Sequence, residues 1–165
     1  MNRLHAIASR SLPSALKAPL MAPLVASLLA SLVALSACSM MPMMSANRST
    51  TTQLSGANEV PAVSSTATGK VDTTYNKDTG TLVWTITYSG LSGAATGGHF
   101  HGPAIAGANA PVVVPLKGSL ASPISGSMVL TSAQADDLLA GKWYVNLHTA
   151  ANPGGEIRGQ VFGSN

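Results

Sequence analysis

Three histidines stand out as the residues of this sequence able to do chemistry together: His99 and His101, one residue apart, and His148, some fifty positions later. In an extended strand, residues i and i+2 project from one face about 6.5–7 Å apart along the chain. Two imidazoles at that spacing can address one metal ion, and His148 from another strand can supply a third ligand. Imidazole suits Zn(II) and Cu(II), and three histidines with an open position form a known coordination set. The competing reading is structural, with His99 and His101 bonding to loop carbonyls at a strand end and His148 bonding across a ladder.

Other chemistries find less support. Ser and Thr are abundant, but no nucleophile elbow or Ser-His-Asp order is visible. Glu156 and Arg158, two apart, read as same-face neighbours forming a structural ion pair, or as a bond from Glu156 to one of the histidines. Glu59 suggests no chemistry of its own. Cys38 is the single cysteine of the chain, so it can form no intramolecular disulfide.

The surroundings of Cys38 give it another role. Residues 1–19 carry Arg3, Arg10 and Lys17 without an acidic side chain, and Leu20–Leu35 is an apolar run broken by Pro23 and several serines. That is the build of an export signal, and the run falls short of the roughly 20 apolar residues of a spanning helix. Leu35-Ser36-Ala37-Cys38 resembles the lipobox of bacterial lipoproteins, in which the cysteine is acylated and the chain is cut before it. Residues 1–37 are then a signal peptide, with Met21 or another downstream methionine an alternative start. Ser39 after the cysteine implies, in that family, sorting to the outer membrane. The expected address is the cell envelope, with the chain held by lipid on Cys38 and facing the periplasm or the cell surface.

Cleavage changes the charge argument. The full chain has 9 Lys+Arg and 6 Asp+Glu, and the three signal cations account for the whole excess. A nucleic-acid partner is excluded, because its basic patch would have to lie in the folded domain. Residues 38–53 read as a lipidated flexible tether of small polar residues. Its methionines at 40, 41, 43 and 44 fit a greasy stretch against the membrane, or a soft Cu(I) site. Residues 54–165 are long enough for one domain.

Positioning the histidines falls to short strands. Thr81–Ser89 alternates, with Leu82, Trp84, Ile86 and Tyr88 on one face. It pairs with 69–75 through the turn Asn76–Gly80. Strands are further expected at 97–101, 112–116 (at an edge, because of Pro115), 125–130, 142–149 and 156–162. Thr131–Ala140 reads as the one helix, with Thr131 and Gln134 as a capping box. In Lys142–Thr149, Trp143, Val145 and Leu147 share one face, and Tyr144, Asn146 and His148 the other. The pattern predicts an all-β antiparallel sandwich of seven or eight strands with one short helix.

Four segments together resemble the CHRD domain, the module named after chordin: 54–61 (LSGANEVP), 98–103 (GHFHGP), 139–149 (LAGKWYVNLHT) and 153–161 (PGGEIRGQV). The resemblance implies an immunoglobulin-like or superoxide-dismutase-like sandwich. It also implies a non-enzymatic extracellular binding or structural module, since chordin binds growth factors. His-x-His in a sandwich resembles the copper-ligand pair of copper–zinc superoxide dismutases as well. That family uses more histidines and an Asp, and no such set remains here. The alternative function is therefore a periplasmic protein that binds copper or zinc, with a link to superoxide.

Overall fold

The computed structural model describes residues 46–162; the export segment, Cys38 and the first part of the expected tether lie outside them. Eight strands follow in chain order: β1 (Asn47–Ser55), β2 (Thr68–Asn76), β3 (Thr81–Ser89), β4 (Ala95–His101), β5 (Val112–Pro115), β6 (Ile124–Val129), β7 (Trp143–Thr149) and β8 (Ile157–Val161). One helix, α1 (Ser132–Leu139), links β6 to β7. All the ladders are antiparallel.

Every strand belongs to a single sheet of order β5-β4-β7-β8-β1-β2-β3-β6. The ring of Trp84 on β3 meets Phe100 on β4 edge to face at 5.2 Å, although four strands separate β3 from β4 in that order. The sheet therefore curls until its two halves face one another, as a barrel left unclosed between β5 and β6. The two layers expected of a sandwich are opposite walls of this one sheet. Its interior is filled by Leu82, Trp84, Ile86, Phe100, Trp143, Val145, Leu147 and Ile157, all buried.

Local chemistry fixes the elements. Asn76 Oδ1 accepts from the backbone N–H groups of Asp78 and Thr79, and Gly80 takes φ +67°, closing the β2–β3 hairpin. Thr131 and Gln134 cap α1 reciprocally. β5 is an edge strand, paired with β4 alone.

One element departs from expectation. Residues 47–53, assigned by composition to the tether, are strand: β1 pairs with β2 over nine positions, from Asn47↔Asn76 to Ser55↔Thr68. Its inward face includes Thr52 and Leu54, both buried. Hydroxyls stand where apolar residues would mark a strand: Ser49 bonds Thr74, and Thr51 bonds Asp72, across the ladder.

Candidate metal centre

The three histidines lie on neighbouring strands. In the β4–β7 ladder His99 faces Asn146, Gly97 faces His148, and His101 faces Tyr144. Their side chains project from the outer face, opposite Phe100, Val145 and Leu147. That face is covered at this corner. The 102–111 loop lies over it, and the segment around Glu59 meets the loop through Asn109 Nδ2 donating to the Val60 carbonyl. His101 is consequently buried, and His99 and His148 are half-buried.

The three side chains converge. His99 Nδ1 lies 3.1 Å from His148 Nε2, and one nitrogen from each ring falls within 4.8 Å of the others. Nitrogens bound tetrahedrally at roughly 2.0–2.1 Å from zinc stand about 3.3 Å apart, so the His99–His148 pair is already at coordination spacing and the third ring must close on it.

The ring tautomers follow from the outer contacts. His101 Nδ1 lies 2.9 Å from the Ala110 carbonyl, and His148 Nδ1 lies 2.9 Å from the Pro153 carbonyl. A carbonyl only accepts, so both rings carry a proton on Nδ1, and in the neutral tautomer this fixes, the unprotonated nitrogen is the inward Nε2. Metal-binding histidines are commonly oriented in this way by a second contact. Those two Nε2 atoms meet Asn146 Oδ1 at 3.1 and 3.0 Å. In this orientation the amide oxygen and two lone pairs converge with no hydrogen between them, an arrangement that a cation relieves. In the metal-free protein, His99 Nδ1–H donates to His148 Nε2. Coordination requires His99 to hold its proton on Nε2 instead.

The electrostatics favour neutral rings at His99 and His101. Burial lowers the His99 pKa, and the nearby His148 and His101 lower it further. Burial also lowers that of His101, partly offset by the Ala110 carbonyl and Asn146. Unprotonated imidazoles are what a metal needs.

Around this core lie residues to which sequence reasoning gave no role in the site. Asn146 and Tyr144 were visible on the polar face of β7, and that alternation was the available signal. His101 stacks on Tyr144 with ring centroids 4.7 Å apart and planes 3° from parallel. Glu59 is also buried. Desolvation raises its pKa to about 7, against the opposing influence of Arg158, the Asn146 amide and the Val60 N–H. Its Oε1 has no hydrogen-bond partner.

Glu156 and Arg158 do not form the ion pair expected from their spacing. Glu156 precedes β8, after Gly155 at φ +129°, so strand alternation does not govern its direction. Its carboxylate accepts from the hydroxyls of Ser65, Ser92 and Thr149 and from the Ser92 N–H. Arg158 turns to the loop instead, donating to the Ala108 carbonyl at 2.6 Å and to Asn109 Oδ1 at 2.9 Å. Its guanidinium carbon sits 3.3 Å from the Tyr144 ring centroid, a cation–π contact. Tyr144, on the middle strand, thus contacts both His101 of β4 and Arg158 of β8.

The site occupies the segments whose sequence suggested a family. Neither a curated protein nor a solved structure matches the chain. The CHRD domain matches residues 50–161, from within β1 to the end of β8, and by that match the chain belongs to the CHRD domain family.

Proposed function

We propose that this protein is a lipid-anchored binding module of the cell envelope that holds a copper or zinc ion between His99, His101 and His148. Family membership supports a binding or structural module of extracytoplasmic type. The metal reading is carried by one observation: two imidazoles whose outer nitrogens are committed to carbonyls turn their free nitrogens toward a third. Among the described residues the ring nitrogens meet one another, Asn146 and backbone carbonyls, a set of contacts suited to holding an ion.

The test is metal analysis of the mature protein. One equivalent of zinc or copper per chain is expected, lost in His101→Ala and in His148→Ala. Unchanged stoichiometry in both variants would falsify the reading. The anchor is tested separately: Cys38→Ser should abolish incorporation of labelled fatty acid and release the protein from membranes. Retention of either property in that variant would refute acylation at Cys38.

A further inference from the structure

The open seam of the barrel lies between β5 and β6, each paired on one side only. Of the four large apolar residues most exposed among those described, Val112 lies on β5 and Val129 on β6. Unpaired strand edges flanked by exposed valines are normally protected against pairing; here they flank a cavity of about 330 Å³. Its lining includes Val114, Ile124, Met128, Trp84, Gly126 and Lys117.

Two polar features mark this cavity as a site. Gly126 stands directly opposite Trp84 in the β3–β6 ladder. The space a side chain would fill at Gly126 is bounded by the indole edge, with Cε2 at 2.7 Å and Nε1 at 3.1 Å. Trp84 is 5% exposed, and its Nε1–H has no hydrogen-bond partner, although buried indoles usually find one. The indole therefore takes the place of a side chain at Gly126 and packs against the strand backbone, with both residues in the cavity lining and the indole donor unpaired. The second feature is Lys117, the one charged side chain of the lining, with no carboxylate near it in that lining.

We propose that this seam binds an extended apolar peptide segment ending in a carboxylate. Strand addition to a free edge supplies backbone hydrogen bonds, and pockets for alternate side chains supply selectivity. β6 offers the ladder, since Pro115 on β5 has no N–H to give. An outward shift of the Trp84 indole, which Gly126 does not block, brings Nε1–H to a peptide carbonyl seated in the cavity. Small apolar side chains rest on Val114, Ile124 and Met128, and the terminal carboxylate meets Lys117. A cavity near the lower end of the usual ligand range admits two or three residues.

The experiment titrates acetyl-Val-Thr-Val-Val, with a free C-terminus, into the mature protein and follows amide and indole resonances. Saturable shifts at Ser125–Met128 and a downfield Trp84 indole proton are expected. Trp84→Phe should weaken binding about five-fold, the worth of one hydrogen bond. Lys117→Gln and the C-terminal amide should each weaken it several-fold, without adding to one another. A backbone N-methylated peptide should not bind. Absence of saturable shifts at millimolar peptide would overturn the proposal. So would equal binding of the N-methylated peptide or of decanoate, which would make the seam an unselective apolar cleft. None of these readouts depends on a metal at the histidines.

Discussion

Asn146 Oδ1 lies 3.0 Å from His148 Nε2, two residues along the same strand, and 3.1 Å from His101 Nε2 across the ladder. One amide oxygen thus faces both imidazoles. On its other side the Asn146 amide adjoins the Glu59 carboxyl, and both crowd the space above Gly155. With the oxygen on the histidines, the amide NH₂ faces Glu59. Turned over, the amide would set its oxygen against that carboxylate. Glu59, when ionised, therefore holds the orientation in which the amide oxygen faces the Nε2 atoms of His101 and His148.

Under the proposed metal reading, Asn146 acts as a positioning residue. Asn146→Leu keeps the volume and removes both polar ends. Asn146 lies on the inner side, against the nitrogens that would coordinate, so its loss should cost at least as much as that of an outer contact, about 10–100-fold in metal affinity. A drop of about that size is expected for zinc, measured by competition with a chromophoric chelator. Glu59→Gln can satisfy the amide in either orientation, so a smaller loss is expected from it. Unaltered affinity in Asn146→Leu would show that the amide merely fills space beside the histidines.

Gly155 is the packing condition for that contact. Its φ is +129°, a conformation side chains rarely adopt. A β-carbon there would overlap Glu59 Oε1 and stand 2.6 Å from Asn146 Nδ2. Gly155→Ala should therefore destabilise the domain by roughly 2–4 kcal/mol, the range of substitutions that combine backbone strain with a buried clash. Chemical denaturation followed by tryptophan fluorescence measures this. A change below about 0.5 kcal/mol would mean that the turn relaxes freely.

The contrast between Gly155 and the strands on either side shows what a sequence can disclose. Alternation in Thr81–Ser89 and in Trp143–Thr149 is written in residue types, because burial on one face selects Leu, Trp, Ile and Val. The β2–β3 turn and the capping box are equally local. His99 and His101 share a face for the same reason, and only the position of His148 depended on ladder register. β1 was illegible because Ser and Thr carry its cross-strand bonds. The direction of Glu156 was illegible because one glycine dihedral precedes it. Burial of the outer face at His101 comes from the 102–111 loop, whose Gly-Pro-Ala sequence says nothing about where it rests.

That loop is pinned by Arg158. Its two donors engage Ala108 and Asn109 while its plane covers Tyr144. Lysine offers a point charge without the planar fork, so Arg158→Lys loses one loop bond and the stacking. A destabilisation of about 2–4 kcal/mol is expected, from hydrogen bonds to a buried charge being left unmade. Amide exchange should accelerate first in residues 104–110, followed by greater solvent access at His101. Uniform acceleration across all strands would instead assign Arg158 to global stability alone.

Glu156 makes the domain sensitive to acid. Burial acts to raise its pKa, but the hydroxyls of Ser92, Thr149 and Ser65 and the Ser92 N–H outweigh it and bring the pKa from 4.5 to about 2. A carboxyl with a depressed folded-state pKa stabilises the fold fully above its unfolded value and loses that contribution as pH falls. The melting temperature should therefore decline between about pH 4.5 and 2. Glu156→Gln keeps the shape but replaces a charged acceptor with a neutral amide. It should cost roughly 2–4 kcal/mol at neutral pH, as for the loss of several charge-assisted bonds. It should also flatten the acid limb, because the variant has no proton to gain at this position. Parallel acid limbs in the two proteins would place the acid-sensitive group elsewhere.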